Sequence, residues 1–273
     1  MPSCSRLRYL EAHPRTASNA WPVDREARGV LVLLHAFPLG ARMWEPQQAL
    51  ADHGWHLVMP QFRGFDCNGP DGADAVSMGD YASDVADLLD TLGIASAVVG
   101  GISMGGYVAL ELYRHAPELF RGLILADTRA EADSAEARAN RTRLIALAAS
   151  GGASAIADDL LPGLLGESTR TTQAGVEGRV RALVLANQPS ALQSALRAMM
   201  TRHDSTVLLP SIAVPTLVVV GEEDVLTPPA LGAAMAAAIP NATLARLPRA
   251  GHLASLEQPQ AFNSALLAFL GRL

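Results

Sequence analysis

The sequence predicts an α/β fold in which a mostly parallel, doubly wound sheet is covered by helices on both faces. Short runs of β-branched residues and leucine, such as residues 29–34 and 216–220, alternate with segments whose apolar residues recur at helical spacing. Continuous apolar runs of this length are typical of strands that are buried on both faces. Because such strands alternate with helices along the chain, we expect a parallel sheet between two helical layers.

The individual elements follow from local signals. Ser77 and Asp80 form a capping-box pattern that begins one helix, and Gly93 ends it. Thr227 precedes two prolines, which predicts a helix start with the threonine hydroxyl as its cap. Further helices are predicted over 43–53, 104–115 and the last dozen residues, and strands over 7–11, 29–34, 56–60, 97–99, 122–126, 216–220 and 242–247.

Residues 129–210 differ in character from the rest of the chain. They are rich in alanine, leucine and arginine and contain no strand-like run, and short helices are expected over about 140–149, 153–162, 175–187 and 189–201. We therefore expect residues 1–128 and 211–273 to form the core domain, and residues 129–210 to form a helical cap inserted after the sixth strand. The alternative is that these helices only cover apolar surface of the core. The two interpretations are compatible, because a cap over the strand ends also covers apolar surface.

The composition limits the classes of function. The chain has 273 residues, of which 49% are hydrophobic and 18% charged, and a formal net charge of −6. These values suit one large α/β domain and offer no basic surface for nucleic acid. Residues 1–8 lack the apolar region of an export signal, and no apolar run has the length of a membrane span. We therefore expect a cytoplasmic protein with no nucleic-acid or membrane partner, and the oligomeric state stays open.

The two cysteines give no sign of a metal or redox site. Cys4 and Cys67 are too few for a disulfide framework, and neither has a zinc-binding spacing. No metal and no organic cofactor is expected.

One glycine-rich turn predicts a nucleophile. Gly101, Ser103 and Gly105 fill the pattern G-x-S-x-G between a predicted strand and a predicted helix. Glycine at these two positions lets neighbouring backbone approach without a Cβ clash, and the helix N-terminus offers N–H groups to a developing oxyanion. A phosphate-binding turn is the alternative, but neither G-x-G-x-x-G nor G-K-[ST] is present here.

The partners that a nucleophilic serine needs follow later in the chain. Histidine, with an unperturbed pKa of roughly 6.5, can accept and return a proton near neutrality, and a carboxylate orients its ring. Asp224 and His252 each follow a predicted strand, in the chain order expected for this type of serine turn. Asp127 also ends a strand and is the alternative acid; otherwise it would bond the first turn of the cap.

These segments resemble the α/β-hydrolase family over nearly the whole chain. They are most similar to the subgroup of small carboxylesterases, 3-oxoadipate enol-lactonases and cofactor-free haloperoxidases or perhydrolases, and the matching segments are 35–39, 101–106, 221–224 and 250–252. The resemblance implies a serine hydrolase that cleaves a small carboxylic ester or lactone through an acyl-enzyme. It also implies an oxyanion hole formed by the backbone N–H groups of Phe37 and Met104. Two departures stand out: Ala36 replaces the usual glycine, and only Arg63 and Gly64 match in the loop 61–68.

The pocket and the finer activity stay open at this level. Perhydrolase, haloperoxidase and C–C bond hydrolase activities are alternatives within the family, and a slow-hydrolysing ligand receptor or signalling protein is the alternative from another class. Arginines of the cap would attract an acidic substrate only where one faces the pocket; they include Arg141, Arg143, Arg179, Arg181 and Arg197. Candidate pocket residues are His35, Leu39, Trp44 and Met199. The alternative for His35 is a hydrogen bond to the loop that presents Phe37, for Leu39 and Trp44 a place in the core, and for Met199 packing within the cap.

Overall fold

Seven strands form a single sheet in a computed structural model that describes residues 7–14, 28–65 and 77–273. The strands are β1 (Tyr9–Ala12), β2 (Gly29–Leu34), β3 (Trp55–Pro60), β4 (Ala97–Ile102), β5 (Phe120–Ala126), β6 (Thr216–Gly221) and β7 (Ala242–Leu247). Their order across the sheet is β1–β3–β2–β4–β5–β6–β7, with β1 antiparallel to β3 and the other neighbours parallel. The predicted mostly parallel α/β sheet is therefore confirmed.

The described residues contain nine α-helices, which flank the sheet. They are α1 (Met78–Thr91), α2 (Met104–His115), α3 (Ala135–Leu164), α4 (Glu167–Thr172), α5 (Ala174–Leu185), α6 (Pro189–Met200), α7 (Pro229–Ala238), α8 (Ala254–Glu257) and α9 (Pro259–Leu270). The capping box that begins α1 is confirmed: Ser77 Oγ accepts from Asp80 N, and the Asp80 carboxylate accepts from Ser77 N.

The segment predicted as a helix over 43–53 forms a 3₁₀ helix, Ala41–His53, with Pro46 inside it. Proline lacks an N–H and clashes with the carbonyl four residues earlier, so a regular α-helix is disfavoured here. Trp44 of this helix is 1% exposed and packs against Phe262, with ring centroids 6.2 Å apart. The tryptophan thus belongs to the core.

Helices α3 to α6 occupy the chain between β5 and β6. Within the described ranges, the five strands β1 to β5 precede this insertion. Helix α3 spans two of the predicted helices and bends at Gly152, whose φ of 64° and ψ of −160° favour glycine. It packs against α5 and α6.

Helix α3 has the length and apolar composition of a membrane span, with 30 residues. The bend at Gly152 divides it into two parts, each shorter than the ~20 residues that cross a bilayer. Several of its side chains are buried against the protein: Leu144, Ala148, Ile156, Leu161 and Leu164. One side of each part thus packs against the protein.

His35, a candidate pocket residue, is instead a buried support for the loop that follows β2. Its Nδ1 donates to Ala36 O at 3.0 Å, and its Nε2 accepts from Phe62 N at 3.2 Å. The ring packs against Phe62 and Phe65 at centroid distances of 4.3 and 4.9 Å. Complete burial lowers the pKa of His35 to about 4, so the imidazole is neutral and can donate at one nitrogen while accepting at the other.

Two glycines let α2 approach the sheet at the turn between β4 and α2. A Cβ on Gly101 would lie 2.1 Å from Gly105 O, and a Cβ on Gly105 would lie 2.1 Å from Leu34 O. Backbone oxygens cannot rotate away as a side chain can, so both positions require glycine.

We expect Gly105→Ala to lower the free energy of unfolding by about 1–3 kcal/mol or more, because the new methyl group displaces the backbone of β2. Gly178→Ala is the control: it lies in α5, its Cβ would have no heavy atom within 4 Å, and it should raise stability by up to ~1 kcal/mol. Urea unfolding measures both. Equal stability of Gly105→Ala and the unmodified chain would contradict the close approach.

We also expect a pH-dependent contribution of His35 to stability. The unfolded chain takes up this proton near pH 6.5 and the folded chain only near pH 4, so the contribution is complete above 6.5 and is lost as pH falls through about 4. Its size is on the order of 3 kcal/mol. The loss between these pH values should be smaller in His35→Gln and unchanged in His53→Gln, an exposed control. Identical pH profiles of His35→Gln and the unmodified chain would argue against a neutral buried imidazole.

Candidate active site

Ser103 lies at a strained turn between β4 and α2. Its φ of 53° and ψ of −116° are rare for a residue other than glycine. The turn is held by Ser103 N, which donates to Ala126 O at 3.0 Å, and by Thr128 Oγ1, which donates to Ser103 O at 2.8 Å. A Cβ on Gly106 would meet Thr128 at 2.5 Å, so the packing is equally close on this side. The neighbouring β-strand therefore stabilises the conformation that presents the hydroxyl.

His252 connects Ser103 to Asp224. His252 Nε2 lies 2.8 Å from Ser103 Oγ, and His252 Nδ1 lies 2.8 Å from Asp224 Oδ2. All three residues are buried, with at most 8% of each exposed. With the Nδ1 proton donated to the carboxylate, Nε2 accepts from the serine hydroxyl, which is the arrangement of an activated nucleophile. The structure thus brings together the three residues that the chain order suggested.

Asp224 is held in its charged form. Its Oδ1 accepts from Leu226 N at 2.8 Å and Thr227 N at 2.9 Å, and its Oδ2 accepts from Thr227 Oγ1 at 2.5 Å. Burial acts to raise the pKa of Asp224, but the charge of His252 and the hydrogen bonds from His252 and Thr227 outweigh it and lower the pKa. The carboxylate is therefore ionised where His252 needs an acceptor.

Thr227 has a role that the sequence did not indicate. The prediction that it caps a helix is wrong, because α7 begins at Pro229 with Pro228 as its N-cap. The Thr227 hydroxyl turns instead to Asp224, and it also lies 3.2 Å from His252 Nδ1. Its position three residues after the aspartate was the available signal, but a threonine before two prolines is typical of a helix start.

Asp127 is the alternative acid. Among the described residues, its carboxylate accepts hydrogen bonds only from backbone N–H groups. Its Oδ1 accepts from Gly221 N at 2.7 Å and its Oδ2 from Ala254 N at 3.2 Å, so it joins the end of β6 to α8 and not to the cap's first turn. Burial raises the pKa of Asp127 well above its usual range, and the nearby charge of Asp224 raises it further. The two aspartates thus have opposite pKa shifts.

Phe37 and Met104 are the two residues predicted to supply backbone N–H groups to the oxyanion. Helix α2 begins at Met104, so the N–H of that residue is among the first four, which have no acceptor within the helix. Phe37 is 7% exposed and lines the same cavity as Ser103. Ala36, which replaces a glycine of the family pattern, is fully buried, so its methyl group packs in the core.

A cavity of about 180 Å³ opens beside Ser103 and His252. Met199, a candidate pocket residue, lines it. Leu39 and Trp44 do not: Leu39 lines a separate cavity of about 200 Å³ beside α5, and Trp44 packs in the core. Residues of the cavity wall that the sequence did not single out include Tyr107, Arg129, Asp133, Asn140, Leu144, Leu160, Leu164 and Leu226.

Two buried or half-buried glutamates fasten α4 to the loops that carry Asp224 and His252. Glu257 accepts from Gly166 N at 2.8 Å and from Gly251 N at 2.9 Å. Glu223 accepts from Ser168 N at 2.8 Å and from Ser168 Oγ at 2.5 Å. Because these carboxylates satisfy N–H groups at the start of α4, the helical insertion and the histidine loop are positioned together.

Within the described ranges, one group of side chains has the spacing of metal ligands: the ligand atoms of Glu11, His13 and His56 lie within 4.8 Å of one another. These residues belong to β1, its C-terminal extension and β3. They do not line the cavity beside Ser103.

Comparison with known proteins agrees with this geometry. A family model described as the alpha/beta hydrolase fold matches residues 29–259. A Mycobacterium tuberculosis protein described as a candidate non-heme bromoperoxidase, BpoC, is 33% identical over 234 residues, which cover 84% of this chain and 88% of the relative. The 3-oxoadipate enol-lactonase 2 of Acinetobacter baylyi is 29% identical over 255 residues, which cover 90% of each chain.

Solved structures show the same similarity. A thermophilic esterase from Thermogutta terrifontis, with malate bound, superposes with a TM-score of 0.88 at 34% identity, over 97% of this chain and 93% of the other. The enol-lactonase of Burkholderia xenovorans superposes with a TM-score of 0.84 at 26% identity, over 97% and 96% of the two chains. The fold, the family model and these relatives agree, and the chain belongs to the alpha/beta hydrolase family of enzymes.

Proposed function

We propose that the protein is a serine hydrolase that cleaves a small carboxylic ester or lactone through an acyl-enzyme. The observation that carries the proposal is the pair of 2.8 Å hydrogen bonds that joins Ser103 Oγ, His252 and Asp224. The cavity of about 180 Å³ supports a small substrate, since a cavity of about 150 Å³ is enough for benzene.

In the first half of the proposed reaction, His252 Nε2 takes the proton of Ser103 as Oγ attacks the substrate carbonyl carbon. Asp224 stabilises the imidazolium that forms. The N–H groups of Phe37 and Met104 are proposed to bind the oxyanion of the tetrahedral intermediate. His252 then returns its proton to the leaving oxygen, the C–O bond breaks, and an ester of Ser103 remains.

In the second half, water attacks the acyl-enzyme. His252 removes a proton from the water, the same two N–H groups stabilise the second oxyanion, and the proton returns to Ser103 as the acid leaves. A lactone follows the same steps, except that the leaving oxygen stays attached to the released acid. Water is the only co-reactant.

A second candidate is cofactor-free perhydrolysis, in which peroxide replaces water in the second half and the resulting peracid oxidises halide. The similarity to the bromoperoxidase relative supports this candidate. Peroxide-dependent bromination of a dye would separate the two activities. C–C bond hydrolysis and a slow-hydrolysing receptor remain alternatives; turnover below about one per hour on every ester tested, together with tight binding of an unhydrolysed ligand, would favour the receptor.

We expect Ser103→Ala to reduce hydrolysis of p-nitrophenyl acetate and butyrate by about 10⁴-fold or more, because the nucleophile is lost while the oxyanion donors remain. Steady-state kinetics measures the rate, and labelling by a fluorophosphonate should disappear in parallel. Ser205→Ala, a serine outside the cavity, is the control. Undiminished turnover in Ser103→Ala would refute the proposed nucleophile.

The choice of acid is tested separately. We expect Asp224→Asn to lower kcat by roughly 10⁴-fold, because an amide at this position favours the wrong tautomer of His252. Asp127→Asn keeps an acceptor for Gly221 N and should lower kcat by less than about 10-fold. The opposite ranking of the two variants would make Asp127 the acid.

A further inference from the structure

We infer that the natural substrate carries a carboxylate group besides the bond that is hydrolysed, and that Arg129 binds this group. The inference rests on the proposed function and identifies the class of ester or lactone that the site accepts. It comes from the charges around the cavity beside Ser103, which is lined by Arg129, Arg141 and Asp133.

The charge of Asp133 is already matched by other groups. Its two oxygens accept from Nε and Nη2 of Arg141, and one of them also accepts from Nη1 of Arg202. Arg202 is 8% exposed and lies over the ring of Tyr107 at 4.2 Å. Burial acts to raise the pKa of Asp133, but the hydrogen bonds and charges of the two arginines lower it. The ionised carboxylate of Asp133 is thus paired with the guanidinium groups of both Arg141 and Arg202.

Arg129 has a different kind of partner. Its Nη2 donates to Leu226 O, a neutral carbonyl that also belongs to the cavity wall. Among the residues that the structure describes, no carboxylate oxygen lies within 4 Å of its guanidinium nitrogens. The cavity wall thus contains two guanidinium groups, those of Arg129 and Arg141, and one carboxylate, that of Asp133, so it has an excess of positive charge.

A guanidinium that lines a cavity without a carboxylate partner is available to bind an anion there. The planar fork of arginine matches the two oxygens of a carboxylate, and charge-assisted hydrogen bonds of this kind are stronger than neutral ones. The rest of the wall is apolar and includes Leu144, Leu160, Leu164 and Met199. A short aliphatic chain that ends in a carboxylate matches both parts of the cavity.

Three other arginines of the insertion have partners at the surface and do not line the cavity. Arg143 pairs with Asp159, Arg179 with Glu45 and Arg181 with Asp158. Arg143 lies on α3, as Arg141 does, and its side chain is half exposed. Arg143→Gln is therefore a matched control that removes one positive charge from the same helix.

Two pairs of substrates test the inference, one for each side of the scissile bond. The acyl pair is the p-nitrophenyl monoester of glutaric acid and p-nitrophenyl valerate. The leaving-group pair is 4-carboxyphenyl valerate and 4-carbamoylphenyl valerate. We expect kcat/KM to favour the anionic member of at least one pair by about 10- to 100-fold, the range of a charged hydrogen bond.

Variants of Arg129 and Arg143 identify the residue that causes the preference for the anionic substrate. Arg129→Gln should reduce this ratio by about 10-fold or more, a result that misfolding would not produce, because misfolding lowers kcat/KM for both members of a pair. Arg129→Lys should keep part of the ratio, because the charge remains without the fork. Arg143→Gln should keep all of it. Equal rates within both pairs, or a preference that survives in Arg129→Gln, would overturn the inference and leave the esterase proposal standing.

Binding of glutarate separates this inference from the proposed function. Calorimetry should show that glutarate binds the unmodified protein about 10-fold more tightly than Arg129→Gln, whether or not any ester is hydrolysed. If no ester is hydrolysed and this difference is present, the reaction is wrong and the anion site stands. Binding that is absent, or equal in the two proteins, refutes the anion site.

Discussion

The left-handed backbone of Ser103 is the constraint on which the rest of the site depends. It lifts the hydroxyl out of β4 toward His252, and it is possible only because Gly101, Gly105 and Gly106 admit backbone and threonine atoms where a Cβ would clash. The same close approach brings the first N–H groups of α2 beside the hydroxyl. One strained residue therefore sets the positions of the proposed nucleophile and of one proposed oxyanion donor, Met104.

The two buried aspartates at neighbouring strand ends, Asp127 and Asp224, differ in their pKa values because their surroundings differ. Two carboxylates this close cannot both ionise without cost, so their partners decide which one does. The charge of His252 and the hydrogen bonds from His252 and Thr227 lower the pKa of Asp224. Burial and the charge of Asp224 raise the pKa of Asp127, although two backbone N–H groups donate to it. Only one of the two is thus both charged and in contact with the imidazole. The sequence favours Asp224 by its match to the family segment 221–224, but it contains no information on these partners and charges.

Hydrogen bonds join the helical insertion to the loops that carry Asp224 and His252. Glu223 is adjacent in sequence to Asp224, Glu257 lies five residues after His252, and both bind backbone of the segment that begins α4. The insertion in turn supplies the apolar wall and two of the arginines of the cavity. The residues proposed to perform the chemistry and those proposed to select the substrate are consequently fastened to each other.

Local patterns in the sequence predict the sheet, the serine turn and the order of the three site residues. These features depend on hydrophobic periodicity and on positions where only glycine fits. It favours Asp224 over Asp127 only through the match to the family segment 221–224, it predicts Thr227 as a helix cap, and it leaves Leu39 and Trp44 as pocket candidates. Leu39 and Trp44 are apolar, and an apolar side chain has the same spacing whether it faces a cavity or the core. Which of them lines the cavity follows only from the tertiary structure, because burial, partner charges and loop contacts arise between segments far apart in the chain.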